Sequence, residues 1–306
     1  MQITKYKLKK TLLFDGTGIL FRSYYAIPNL RNSRNEPTGG ILGFFNILFK
    51  ELLKHKPTHF AVCFDRAEPT FRKIEYTEYK AQRTKAPDEL FIQLNIVKEL
   101  LKMGLNLAEE PGYEADDLIA CLNAQKEAQD EVLIYSSDQD LLQLVDANSS
   151  VIKPGTRKLG DTIFTPEKVI EKYELTPKQI IDFKAICGDP SDNLKGVNGI
   201  GKKTAIKLIK EYKNLENIYQ NLDKLTPKMK EKFEKDKEIA FLCKKMATLV
   251  DKVENCPSIE LLDPFQIKYE NLKDAFIKLE CNTLVAKLKL LEQIWPNKSS
   301  QASLFT

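Results

Sequence analysis

Apolar residues in the first half of the chain follow two alternating patterns. Residues 10–14 (KTLLF), 58–64 (THFAVCF) and 131–137 (EVLIYSS) are short runs rich in apolar side chains, the mark of strands buried on both faces. Between them the spacing turns helical: Leu20, Phe21 and Tyr24, then Ile41 to Leu53 after Pro37-Thr38-Gly39-Gly40, then Leu90 to Leu101 with a stop at Gly104. Strands alternating with helices predict an α/β body around a parallel sheet. Residues 151–164 read as a small hairpin around Pro154-Gly155. Thr165-Pro166-Glu167 and Thr176-Pro177 read as helix starts with proline at the first helical position. Beyond Ile180 the pattern is helical almost throughout. The expected division is an α/β body over residues 1–175, a helical domain over 176–290 and a flexible tail over 291–306.

Composition adds limits. A chain of 306 residues, 42% hydrophobic and 29% charged, suits two globular domains. No apolar run approaches the ~20 residues of a membrane span, and the basic start MQITKYKLKK meets Asp15 too soon for a signal peptide. The six cysteines form no C-x-x-C pair, so they read as reduced core residues of a cytoplasmic protein. The net charge is +4, and several acids are candidates for one pocket, so the remaining surface is more basic than that figure. Such a surface attracts a polyanion. The two histidines, His55 and His59, lie away from the acid clusters, which argues against histidine general-base chemistry.

The acids carry the candidate chemistry. Each strand run is followed by one or two: Asp15, Asp65, then Asp138 and Asp140. A parallel sheet gathers the carboxyl ends of its strands at one edge, where open α/β sheets place ligands. Glu114, Asp116 and Asp117 open the apolar run Leu118-Ile119-Ala120, and on a helix Glu114 and Asp117 share a face. Taken alone, this turn is accounted for by the helix dipole, and Asp15-Gly16 by a strand-ending turn. Asp189 and Asp192, in the segment from Gly188 to Asn193, bring the set to nine. Oxygen-only donors favour hard cations. The phosphatase pattern D-x-D-G-T would need an aspartate where Leu13 stands, so its nucleophile is missing.

Two further stretches suit nucleic acid. In residues 66–90, Arg66, Arg72, Lys73, Lys80, Arg83 and Lys85 interleave with Phe71, Tyr76 and Tyr79, a mixture that can pair phosphates and stack bases; a solvated amphipathic helix is the plainer alternative. The run from Gly196 to Ala205 is a glycine-rich hairpin opening a helix, and Gly199, Gly201, Lys202, Lys203 and Thr204 could hold a phosphate. Its spacing differs from a nucleotide P-loop. Residues 202–245 hold thirteen lysines against seven acids.

Seven segments together form a recognisable series. They are Asp15-Gly16, residues 64–66 (FDR), 70–72 (TFR), 79–83 (YKAQR), 114–117 (EADD), 137–140 (SDQD) and the run from Gly188 to Ala205. In order and spacing, over about residues 10–290, the chain resembles the bacterial 5′-nuclease family, which includes the 5′→3′ exonuclease domain of DNA polymerase I and the flap endonucleases. The resemblance implies a parallel-sheet, PIN-like α/β nuclease core with a helical arch at about 66–90. It also implies a C-terminal helical DNA-binding domain with a helix-hairpin-helix (H3TH) element at about 188–210.

By that resemblance, Asp15, Asp65, Glu114 and Asp116 match a first metal site. Asp138, Asp140, Asp189 and Asp192 match a second, with Asp117 between them. The implied cofactors are two Mg²⁺ or Mn²⁺ ions, with K⁺ at the hairpin. Lys80 and Arg83 would contact the scissile phosphate, with Arg72 and Tyr79 nearby. The implied substrates are 5′ flaps, nicked or 5′-ended duplexes and RNA–DNA hybrids, met in primer or flap removal during replication and repair. The chain departs from many relatives at Lys195 and Asn198, where they have prolines, and at Ser137-Asp138, where they have Gly-Asp. The tail Gln301-Ala302-Ser303-Leu304-Phe305 resembles a sliding-clamp-binding motif, with Gln301, Leu304 and Phe305 as its contacts. A monomeric, nucleoid-associated protein without membrane contact is expected, and the initial Met favours a separate product over a piece of a polymerase. The rival readings are a DNA-binding protein that keeps the scaffold without catalysis, and a metal phosphohydrolase acting on small molecules.

Overall fold

Strand β1 (Lys10–Asp15) runs straight into helix α1 (Gly16–Ala26), and α2 (Gly39–His55) leads to β2 (His59–Cys63). This is a computed structural model, and it describes residues 8–156 and 158–296; the clamp-like residues Gln301, Leu304 and Phe305 lie outside the described residues. After the short α3 (Phe71–Glu75) come α4 (Asp88–Leu101), β3 (Leu107–Ala108), α5 (Ala115–Ala124) and β4 (Glu131–Tyr135). The hairpin β5 (Ser149–Lys153) and β6 (Thr162–Phe164) precedes α6 (Pro166–Tyr173). The sheet order is β3-β2-β1-β4-β5-β6, parallel throughout except for the antiparallel β5–β6 edge. The chain builds outward from β1 to one side, then returns to lay β4 on the other. The crevice beyond the carboxyl ends of β1 and β4 is the switch point where such sheets bind ligands.

Alternate strand residues face opposite layers. Leu13, Ala61 and Ile134 pack with Leu118 and Leu122 of α5, while Leu12, Phe14, Phe60 and Val62 pack with Phe44, Phe45 and Phe49 of α2. Both faces are covered, so the strands read as continuous apolar runs rather than alternating ones.

The second half is helical: α7 (Gln179–Cys187), α8 (Lys202–Tyr212), α9 (Leu215–Gln220), α10 (Pro227–Lys235), α11 (Lys237–Ala247), α12 (Tyr269–Lys278) and α13 (Asn282–Ile294). Ile186, Ala205, Phe233 and Ala240 join the α5 side of the core. Helices α12 and α13 cross to the other face, where the Phe276 ring lies 5.1 Å from Phe45 and 5.9 Å from Phe49. The helices expected as one unit over 176–290 therefore divide between the two faces of the sheet. Residues 291–296, expected to begin the tail, are packed: Leu291 and Trp295 are buried, and Tyr269 donates a 2.8 Å hydrogen bond to the Trp295 carbonyl.

Residues 66–90 also differ from the expected helical arch. They contain α3 and then consecutive turns before α4. Arg72 is drawn into the core, and Lys80 takes a left-handed φ of 54° that a helix cannot continue through. The turns lie on the loop after α7: the Lys80 N–H donates to the Asp192 carbonyl at 3.1 Å, and Asn193 Nδ2 to the Glu78 carbonyl at 2.9 Å. Among the described residues no helix is long and apolar enough to cross a membrane.

Candidate active site

Asp15 sits where β1 becomes α1 and caps that helix. Its Oδ1 accepts the Gly18 N–H at 2.7 Å, and its Oδ2 accepts the Ser136 hydroxyl at 2.7 Å. Asp65 follows β2, accepts the Ala115 N–H at 2.9 Å and donates its own N–H to Thr17 Oγ1 at 3.1 Å. Glu114 caps α5, Asp116 lies in its first turn, and Asp138 follows β4 with its N–H on Ser136 Oγ at 2.9 Å. These five acids line one cavity of about 410 Å³, which Lys80, Arg83, Arg22 and Tyr25 also line. The group is short of positive charge. Burial, then the charges of Asp65 and Asp138, push Asp15 up to about 6 against the bonds from Gly18 and Ser136. Burial, then Asp138 and Asp15, raise Asp116 well above the usual carboxylate range.

The second group is assembled from loops. Asp140 begins a 3-10 turn after β4, and Asp189 and Asp192 bracket another after α7. Each offers a carboxylate oxygen, and these oxygens lie within 4.8 Å of one another. Here cations are already in place. Lys184, in the last turn of α7, pairs with Asp140 and with Asp189 at 2.6 Å. Arg83 Nη2 lies 2.8 Å from Asp192 Oδ1. Burial alone would raise Asp189, but the bonds from Lys184 and Ser191 hold it below its ordinary value.

Residues of the folded-down turns join the groups. The buried Tyr79 hydroxyl lies 3.2 Å from Glu114 Oε2 and 3.2 Å from Asp192 Oδ2. Burial, then both acids, raise its pKa, so the phenol keeps its proton. Lys80 Nζ lies 2.8 Å from Glu114 Oε1, and the acids hold the ammonium charged although burial opposes it.

Three expected placements are corrected. Asp117 is fully buried and gripped by Arg72 at 2.6 and 2.8 Å, while the N–H groups of Glu114 and Val250 fill its remaining positions. It turns inward, away from the cavity. Arg72, 1% exposed, spends its other donors on Glu114 Oε2 at 3.3 Å and on the carbonyls of Met246 and Thr248, which leaves none for a phosphate in the cavity. Asp138, expected with the second group, lines the cavity of the first.

Two family models match the chain over residues 10–270. The family model described as "5'-3' exonuclease, N-terminal resolvase-like domain" covers residues 10–174, and "5'-3' exonuclease, C-terminal SAM fold" covers residues 175–270. The chain belongs to the 5′-3′ exonuclease family. The 5′-3′ exonuclease of Aquifex aeolicus is 39% identical over 302 residues, covering 97% of this chain and 100% of that protein. DNA polymerase I of Caldicellulosiruptor bescii is 41% identical over 289 residues, which are 93% of this chain and 34% of the polymerase. The chain thus spans about a third of the length of that relative. In fold it is similar to the flap endonuclease of bacteriophage T5, solved with DNA and metal ions: TM-score 0.66, 22% identity, 94% of this chain and 99% of that one.

In this exonuclease-family chain the glycine-rich hairpin adjoins the second acid group, with Asp189, Gly201 and Lys202 lining one cavity. Gly196 and Gly199 have positive φ of 65° and 71°, and a side chain on Gly196 would strike the Gly188 backbone. Val197 and Ile200 anchor the loop in the core, which leaves Gly201, Lys202 and Lys203 exposed at the start of α8, with Thr204 half-buried behind them. Lys232 Nζ donates to the Gly199 carbonyl at 2.8 Å. Sequence reading does not single out Ser136, Lys184, Arg22 or Tyr25. Arg22 and Tyr25 had a signal, three residues apart on the polar side of the helix that follows Asp15; Ser136 and Lys184 had none.

Proposed function

We propose that the chain is a divalent-metal-dependent, structure-specific 5′ nuclease that hydrolyses phosphodiester bonds near the 5′ ends of DNA, in flaps, nicks and primers. The observation that carries this reading is the convergence of Asp15, Asp65, Glu114, Asp116 and Asp138 in one cavity whose wall also holds Lys80 and Arg83. A bare set of carboxylates repels a phosphodiester, and the raised Asp15 and Asp116 mark a demand for cations. The donors are all oxygen, which fits Mg²⁺ or Mn²⁺. Asp15, Asp65, Glu114, Asp116 and Asp138 would hold one ion, and Asp140, Asp189 and Asp192 a second. Bound there, such ions supply an activated water and stabilise the leaving oxygen.

The chain's own residues would do the rest. Lys80 and Arg83, paired with Glu114 and Asp192 in the DNA-free protein, turn to the scissile phosphate once those carboxylates are otherwise neutralised. Tyr79 keeps the two acid groups in register. Gly199 to Thr204 and the start of α8 grip duplex backbone through N–H groups and the exposed Lys202 and Lys203. A K⁺ ion on the Gly199 carbonyl would compete with Lys232 for it. The bacteriophage T5 relative in fold, solved with DNA and metal ions, supports this reading. Residues 1–175 would supply catalysis and the region around 188–210 the DNA grip.

The test is cleavage of a 5′-flap DNA with Mg²⁺. The wild type should release the flap and Asp116→Asn should not. A wild type that binds the flap without cutting it supports the scaffold-only reading instead. We also propose that Gln301, Leu304 and Phe305 dock on a sliding clamp: deleting residues 300–306 should abolish clamp capture in a pull-down and leave cleavage of free DNA unchanged, and retained capture rejects this.

A further inference from the structure

The two acid groups differ in what they hold before any metal arrives. Asp140, Asp189 and Asp192 bring three carboxylates within 4.8 Å of one another. Unscreened carboxylates at that range repel strongly and need a cation between them. Lys184 supplies it. Its side chain is 12% exposed, its ammonium contacts Asp140 and Asp189 together, and α7 fixes it from behind. A lysine nitrogen between two carboxylates occupies the space that a cation shared by them would need. Beside it lies a cavity of about 300 Å³ lined by Gln139, Tyr173, Phe183, Lys184, Asp189 and Lys202, so the flexible arm has room to move aside while α7 stays in place.

Resting on the metal-dependent reading above, we infer that Lys184 is a built-in stand-in for the second metal ion: its ammonium holds Asp140 and Asp189 together and has to leave them before a divalent ion can bind there. Lys184 is a positioning residue in the metal-free protein and a competitor during loading. In the first group Lys80 and Arg72 reach only Glu114 of the five acids, so its ion binds first and more tightly. The second ion binds more weakly because it displaces a charge already in place.

The experiment is a Mn²⁺ titration of the full 306-residue chain, followed by calorimetry and by the electron paramagnetic resonance signal of free Mn²⁺. The wild type should take up one ion tightly and a second weakly. Lys184→Met and Lys184→Gln should tighten the second step about tenfold, the scale on which neighbours of metal ligands act, and leave the first step unchanged. Lys184→Arg keeps the competing charge and should titrate like the wild type. A readout on the wild type needs no variant: Mg²⁺ should raise the acetylation of Lys184 by an amine-reactive reagent, read by mass spectrometry, as the ammonium leaves its carboxylates. If the wild type binds no Mn²⁺, the metal-dependent reading falls and this inference with it. If the wild type binds two ions but the neutral variants bind the second no tighter, or Lys184 stays shielded at saturating Mg²⁺, the role of Lys184 alone is overturned.

Discussion

The two acid groups use the same residue types and arrive at opposite electrostatic states. The first is built at the rigid edge of the sheet, from the ends of β1, β2 and β4 and the start of α5. Asp15 and Asp65 are held by neutral donors, Ser136 and the N–H groups of Gly18 and Ala115, and among the described residues cations reach Glu114 alone of the five acids. The neutral donors fix where the oxygens are without cancelling their charge. The second is built from loops, where Ser191 bonds Asp189 but cations reach every acid: Lys184 on Asp140 and Asp189, and Arg83 on Asp192. Rigid backbone can keep like charges close and unsatisfied. Loops need counter-ions to do so.

The sharpest way to break this contrast is to remove the pin beneath the first group. Arg72→Ala leaves Asp117 charged, buried and unpaired, and should cost about 3–5 kcal/mol by denaturant unfolding. A loss under 1 kcal/mol would mean that the first turn of α5 holds itself. Next is pH. Asp15 titrates at about 6 in the folded protein against an ordinary 3.8, so the folded state binds its proton more tightly. That stability is complete below about 3.8 and is lost as pH rises through about 6. In EDTA the wild type should lose on the order of 3 kcal/mol more than Asp15→Asn over that window, read from melting temperatures at a series of pH values. Saturating Mg²⁺ should remove the loss.

Smaller effects of opposite sign sharpen the same comparison. In EDTA, Asp116→Asn should stabilise the protein and Asp189→Asn should destabilise it, each by about 1 kcal/mol or about 2–4 °C in melting temperature. One relieves a crowded charge and the other strips Lys184 of a partner. Equal signs would show that the groups are electrostatically alike. The smallest effect is Arg83→Ala, whose side chain is half-exposed; it should change stability by under about 1 kcal/mol while slowing flap cleavage. An unchanged rate would remove Arg83 from the reaction.

Much of this was readable from the chain alone. β1, β2 and β4 were visible as apolar runs because the sheet buries them on both faces, and the acid after each was adjacent in sequence. β3 spans two residues, too short for any periodic signal. Eight of the nine acids expected at the site do reach the two groups. Asp117 does not, although its spacing from Glu114 was read correctly as a shared helix face: that face belongs to Arg72. The family resemblance implies a helical arch, but Arg72 pulls one end into the core and the bonds to the 189–193 loop hold the other down. The crossing of α12 and α13 to the α2 face has no signature in the sequence, because an apolar stripe predicts burial without naming the surface that covers it.

The sequence by itself determined the alternation of strands and helices, the acids at the strand ends and the glycines of the hairpin. Each of these depends on residues a few positions apart, where backbone geometry links pattern to shape. The tertiary structure alone decided which acid keeps a bare charge and which is given a cation. The partner of Asp117 lies 45 residues away and that of Asp192 lies 109 away. Charge acts through space, so the state of each carboxylate is set by whatever the fold brings within a few ångströms of it.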